Sequence, residues 1–348
     1  MKPEFTQTPL IISSSPHTHV GSSVERIMLD VVIALIPAYL ASCWFFRLDA
    51  LRLSATCVIT CVLSEWLCRK AMRRASSVND FSAVITGLLL AFNLPPALPT
   101  WMAVAGSVFA ITIAKQVFGG LGYNPFNPAL AARAFMLISF TGAMTTWSHS
   151  DWMQQLRYGA ECATTQASAV AADALTSPTP LGYMKDVLKA GQALPAFDSS
   201  LLSDFFLGNM NGCLGETSAL ALLLGGAYLL YRKVITWHIP VSYLLTVLVY
   251  AFILKLVTPT TALPPWTHLL SGGLILGALF MATDMVTTPI TRRGMLIFGI
   301  GCGILTMLIR TVKSGAYPEG VSFAILIMNA FTPLINRATR NRVFGTKR

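Results

Sequence analysis

Arg133 and Asp284 stand where charge is expensive. Arg133 follows the run Asn127-Pro128-Ala129-Leu130-Ala131-Ala132, and Asp284 closes an apolar run that starts near Gly272. An ionisable group inside a long apolar segment is costly and points to function. Arg133 could hold the anionic or carbonyl groups of a cofactor, or pair with an acid on another helix. Asp30, Glu65, Glu216 and Glu319 also border apolar runs. Asp30, Glu216 and Glu319 fall at the expected N-termini of helices. There the macrodipole favours a carboxylate, so a structural role explains them equally well.

Two polar breaks lie near these charges. Asn124-Pro125-Phe126-Asn127-Pro128 and Thr287-Thr288-Pro289 each end an apolar stretch. A helix that stops at membrane depth leaves backbone groups that lipid cannot satisfy, and such breaks persist where they line an enclosed site. They read either as ligand-facing turns or as ordinary loops with Asn or Thr caps and Pro starts. Soluble catalysis fits poorly. The five histidines all lie near expected ends or loops, and His17-Thr18-His19 is a weak metal signal. No nucleophile elbow, P-loop or dinucleotide fingerprint is present. None of the seven cysteines forms a Cys-x-x-Cys pair. Cys57 and Cys61 would share a helix face as small buried residues.

These residues must be positioned by membrane helices. Of 348 residues, 54% are hydrophobic and only 11% charged. That is too little polar surface to coat a water-soluble particle of this size. Spans of about twenty apolar residues are expected near 27–46, 53–68, 81–94, 100–118, 128–146, 215–231, 237–257, 268–283, 295–311 and 320–336. The net charge of +10 resides in short clusters between these runs, such as Arg69, Lys70, Arg73 and Arg74. Such clusters face anionic lipid on the cytoplasmic side, and no nucleic-acid motif accompanies them. Fifteen of the twenty-five basic residues fall inside if both termini are cytoplasmic. The polar stretch before the first span does not read as a cleavable signal peptide.

The plan that follows is all-α. Residues 1–26 form a cytoplasmic segment, 27–146 a first set of five helices and 147–213 an external loop. Residues 214–336 form a second set, and 337–348 a basic tail. Five is odd, so the second set enters from the opposite side, as in an inverted repeat. The run from Gly106 to Leu130 echoes that from Gly272 to Thr291, and Ser82–Phe92 echoes Ser218–Tyr228.

Several motifs in order resemble the RnfD/NqrB family. They are Ser15-Pro16-His17, the stretch Phe118–Phe135, Gly215-Glu216-Thr217-Ser218-Ala219, Phe280–Asp284 with Thr288-Pro289, and Tyr317-Pro318-Glu319-Gly320-Val321 with Asn329. The short N-terminal segment places the chain nearer the RnfD branch than the longer NqrB relatives. The resemblance implies a urea-transporter-like fold and an inner-membrane complex moving electrons between ferredoxin and NAD, coupled to sodium or proton transport. It implies flavin mononucleotide (FMN) joined by a phosphoester to Thr179 in the external loop, within Asp173-Ala174-Leu175-Thr176-Ser177-Pro178-Thr179. Thr176 is the alternative acceptor, with Asp173 and Ser177 in the motif. Riboflavin is implied within the helices, without assigned residues. The partners implied are the A, B, C, E and G subunits of an Rnf complex, above all the flavin-bearing G subunit, together with a flavin transferase and membrane lipid. Two other readings remain: a solute channel with the same five-plus-five plan, and an NqrB-type quinone-reducing subunit.

Overall fold

The computed structural model describes residues 23–75, 77–146, 206–208, 212–216, 218–258, 263–311 and 320–340. Every element among them is helical. Five helices are long and apolar enough to cross a membrane: α1 (Val24–Phe46), α2 (Leu48–Ala71), α7 (His238–Val257), α9 (Arg292–Thr311) and α10 (Val321–Ala338). Between them lie the shorter apolar helices α3 (Ser82–Phe92), α4 (Thr100–Ile111), α5 (Pro128–Ser139) and α6 (Ala219–Tyr231). The segment expected near 268–283 is broken. A short helix, Pro265–Leu270, is followed by α8 (Leu274–Leu276), which runs into a π-helical stretch, Gly277–Met281. A matching π-helical stretch, Thr112–Gln116, extends α4.

The surface explains the composition. Leu40, Trp44, Leu48, Ile59, Val117, Leu224 and Leu334 are among many large apolar residues pointing outward. A soluble monomer does not expose so much contiguous apolar surface. The interior instead holds small residues and the polar groups, including Glu65, Lys115, Asn127, Arg133, Glu216 and Arg310. The chain is a membrane protein turned accordingly: apolar outside, polar where helices meet.

Expected boundaries move at α2, which is longer by a turn at its start because Leu48–Arg52 continues the helix. Asp30 does not open α1. Ser23 caps that helix, accepting from the Arg26 amide, and Asp30 lies almost two turns in. There Asp30 accepts from Tyr228 at 2.9 Å and from Arg232 at 3.1 Å, tying α1 to the end of α6. Hydrogen bonding to Asp30 raises the Arg232 pKa above its ordinary value.

Close packing of α1 on α6 requires Gly225. A Cβ there would collide with the Ala34 carbonyl oxygen, which is backbone and cannot step aside. Glycine lets two helix backbones approach in this way without a clash. Gly225→Val is therefore expected to cost about 1–3 kcal/mol by overpacking, read as a lower melting temperature in detergent. An unchanged melting curve would mean that the two helices do not meet there.

Candidate functional site

A cavity of about 840 Å³, counting its open mouth, lies at the end of the bundle where α1 and α3 begin. Val31, Ile85, Leu89 and Phe280 supply apolar wall, while Ser82, Lys115, Asn124, Asn127, Thr283 and Asp284 supply polar groups. Both π-helical stretches reach it, one through Lys115 and the other through Phe280. A π-turn inserts a residue into a helix and re-aims the side chains around it, a device common at functional sites.

The first break builds one wall. Gly119 and Gly120 have φ of 121° and 102°, values that favour glycine, and they turn the chain sharply after the π stretch. Asn127 then caps α5, its Oδ1 accepting from the Ala129 amide at 3.1 Å and the Leu130 amide at 3.4 Å. Its Nδ2 donates to the Met281 carbonyl at 3.4 Å, so one asparagine joins the two breaks. Asn124 donates from Nδ2 to the Phe126 carbonyl at 3.0 Å, but its buried Oδ1 has no partner among the described residues. A buried acceptor left unmade is costly, and the residue that carries it belongs to the cavity lining.

The second break is held by α10. Thr332 donates to the Thr287 carbonyl at 2.9 Å, and the Ile290 amide donates to Asn336 Oδ1 at 3.0 Å. Asp284 folds this turn around itself. Its carboxylate accepts from the Val286 amide at 3.4 Å and the Thr287 hydroxyl at 3.3 Å. The first break is thus both a capped turn and cavity wall, whereas at the second the cavity is lined by Thr283–Val286, just before Thr287-Thr288-Pro289.

Next to the cavity lies a buried charge pair. Lys115 Nζ donates to Glu65 Oε1 at 3.0 Å, to Oε2 at 2.9 Å and to the Ser82 hydroxyl at 2.6 Å. Gln116 and Ser77 also donate to Glu65 Oε1, at 2.9 and 2.7 Å. Sequence reasoning singles out Glu65 but gives Lys115 no role. The signal available is a lysine inside the apolar run 106–118.

Arg133 does not line the cavity. It is buried on α5, donating to Asn93 Oδ1 and, at 3.6 Å, to the Cys213 sulfur, with Glu216 Oε1 3.9 Å away. Of its two sequence readings, the acid on another segment is the one with a partner among the described residues. Arg310 is also buried, although a topology with both termini cytoplasmic counts it among the external charges. It donates to the carbonyls of His268, Ser271 and Gly272 at 2.6, 3.0 and 3.2 Å. Those are the orphaned acceptors where the helix Pro265–Leu270 breaks. Asp173, Thr176, Ser177 and Thr179 lie outside the described residues.

A family profile described as NQR2, RnfD, RnfE matches residues 11–345. The chain belongs to that family. It is 46% identical over 338 residues to the D subunit of the Na(+)-translocating ferredoxin:NAD(+) oxidoreductase complex of Acetobacterium woodii, covering 97% of this chain and 95% of that one. It is 43% identical over 339 residues to the D subunit of the proton-translocating ferredoxin:NAD(+) oxidoreductase complex of Clostridium ljungdahlii, covering 97% and 96%. The D subunit of an ion-translocating oxidoreductase complex of Salmonella typhimurium is 41% identical over 352 residues, covering 97% and 99%.

The two roles of Asn127 can be separated. Asn127→Ser keeps a cap acceptor and loses the bond to Met281, whereas Asn127→Ala loses both. Thermal unfolding in detergent should show Asn127→Ala destabilised by about 1–2 kcal/mol and Asn127→Ser by less. Equal losses would mean that the cap contributes nothing.

Proposed function

We propose that this chain is a flavin-carrying membrane subunit of an Rnf-type complex that couples electron transfer between ferredoxin and NAD to ion translocation. The observation that carries this is end-to-end likeness, over 97% of the chain, to proteins named as the D subunit of such complexes. The chain acts with the A, B, C, E and G subunits of the complex and needs a flavin transferase for its covalent cofactor. One relative is named for sodium and another for protons, so overall likeness does not select the ion.

In this reading the ten helical segments are ten spans in two five-helix sets of urea-transporter-like plan, with both termini in the cytoplasm. Charge and aromatic placement support it. Alternating spans bring the basic ends of α2, α6 and α10, and the basic start of α9, to one side. Exposed Trp44, Trp101 and Trp266 then fall on the other side, as an interfacial aromatic belt would. The segment from 147 to 213 lies external to the inner membrane and carries FMN on Thr179.

A second, non-covalent flavin such as riboflavin occupies the cavity. The fit rests on three features of the protein. The cavity has an open mouth, its walls are mostly apolar, and Asn124, which lines it, keeps a buried acceptor with no donor among the described residues. Flavin supplies the electron-transfer chemistry when bound. The chain's own residues then bind and orient. Leu89, Ile85 and Phe280 exclude water, Asn124 accepts from the ligand, and Asn127 fixes the wall that carries Asn124.

In-gel fluorescence of the denatured chain, made with its flavin transferase, tests the covalent cofactor. Fluorescence should vanish in Thr179→Ala and survive in Thr176→Ala. A dark wild-type band beside an active transferase would remove the tether from the reading. The cavity is tested separately by acid extraction of the purified complex. Asn124→Leu should hold non-covalent flavin about tenfold more weakly, the size of one good hydrogen bond to a buried group, while covalent fluorescence stays intact. Unchanged flavin content under dilution would place that flavin elsewhere.

A further inference from the structure

Lys115 and Glu65 do not face the cavity equally. Lys115 lines it and Glu65 does not, although the two side chains are bonded at 2.9 Å and both are buried. The pair is therefore an oriented dipole, positive end at the cavity wall and negative end behind it. Three features fix that orientation. The π-helical stretch presents Lys115 at the wall, all three Nζ contacts point to Glu65 and Ser82, and Gln116 and Ser77 hold the carboxylate through Oε1.

A dipole buried with so little water around it acts on its neighbours at low effective dielectric, so its sign matters to anything bound beside it. Charge placed near a flavin ring is one of the ways a protein tunes the cofactor's electronics. We infer that the Lys115–Glu65 pair is a positioning device for charge, favouring the electron-rich form of a redox ligand in the adjoining cavity. The inference rests on the cavity reading under Proposed function. Lys115 is the positive end, and Glu65 acts through Lys115 by restraining both its place and its net field. Ser82, which accepts from Lys115 and itself donates to Asp80 Oδ1, links the device to the polar segment before α3.

The two ends predict opposite effects, which a purely structural role does not. Replacing the positive end with Lys115→Met should disfavour the reduced ligand. Removing the negative end with Glu65→Gln leaves the ammonium less compensated and should favour it. The purified complex is titrated spectroelectrochemically for its non-covalent flavin, with the Asn124→Leu complex, diluted and washed until its non-covalent flavin is gone, as blank. At fixed potential the reduced-to-oxidised ratio should fall about tenfold in Lys115→Met and rise in Glu65→Gln. For a two-electron couple tenfold is about 30 mV. Lys115→Met leaves a buried carboxylate without its cation and could fail to assemble. The Lys115→Met/Glu65→Gln double variant keeps that arm testable, with a shift in the same direction as the lysine variant. Shifts of the same sign from both ends, or none with flavin still bound, would overturn the inference alone. Acid extraction that finds no non-covalent flavin in the wild-type complex would overturn the cavity reading and this inference with it.

Discussion

Lys115, Arg133 and Arg310 are each buried within the helical body, and the packing around them follows from what each must be given. A cation removed from water keeps its charge only if paired and hydrogen-bonded. Lys115 receives a carboxylate and a hydroxyl from α2 and α3, and α4 is extended by a π turn where it meets them. Arg133 receives an amide oxygen from the end of α3 and a carboxylate from the turn before α6. Arg310 receives three backbone carbonyls from a helix break. Each cation thus fastens segments distant in sequence, and the small residues between them let the backbones come close enough to do so.

The same requirement explains where irregular backbone survives. The turn after Thr112–Gln116 and the turn after Gly277–Met281 both carry polar groups inward, and Asn127 joins them through the Met281 carbonyl. Asparagine caps close one, and the threonine and asparagine of α10 close the other. The cavity lies between these two closures, bounded by groups whose rotamers are already fixed by other bonds. That is the condition a binding site needs to hold a ligand in one orientation.

Much of this is legible in the residues. Apolar runs locate the helices, because the bilayer fixes their length, and the two Pro-bearing breaks point to Asn127 and Asp284, which do meet at one cavity. Arg133 stands out as a charge in an apolar run, but its partners Asn93 and Cys213 are 40 and 80 residues away and carry no local mark. Lys115 and Glu65 are separated by 50 residues, so each looks like an isolated oddity. Arg310 falls with the external charges because it sits at the end of its run, where snorkelling to water is the ordinary expectation. Long-range pairing is what these single residues cannot announce. The broken form of the segment near Ser271 depends on just such a pairing.

Arg310 has a consequence for how the chain is made. The carbonyls it satisfies belong to residues synthesised earlier, the farthest being His268, 42 positions before it. At about 5–20 residues per second a ribosome needs roughly 2–8 s to cover that distance. For that interval the half-helix has emerged without the guanidinium that completes it. Backbone carbonyls without a donor are not tolerated in lipid, so the break before α8 is completed only once α9 has been made.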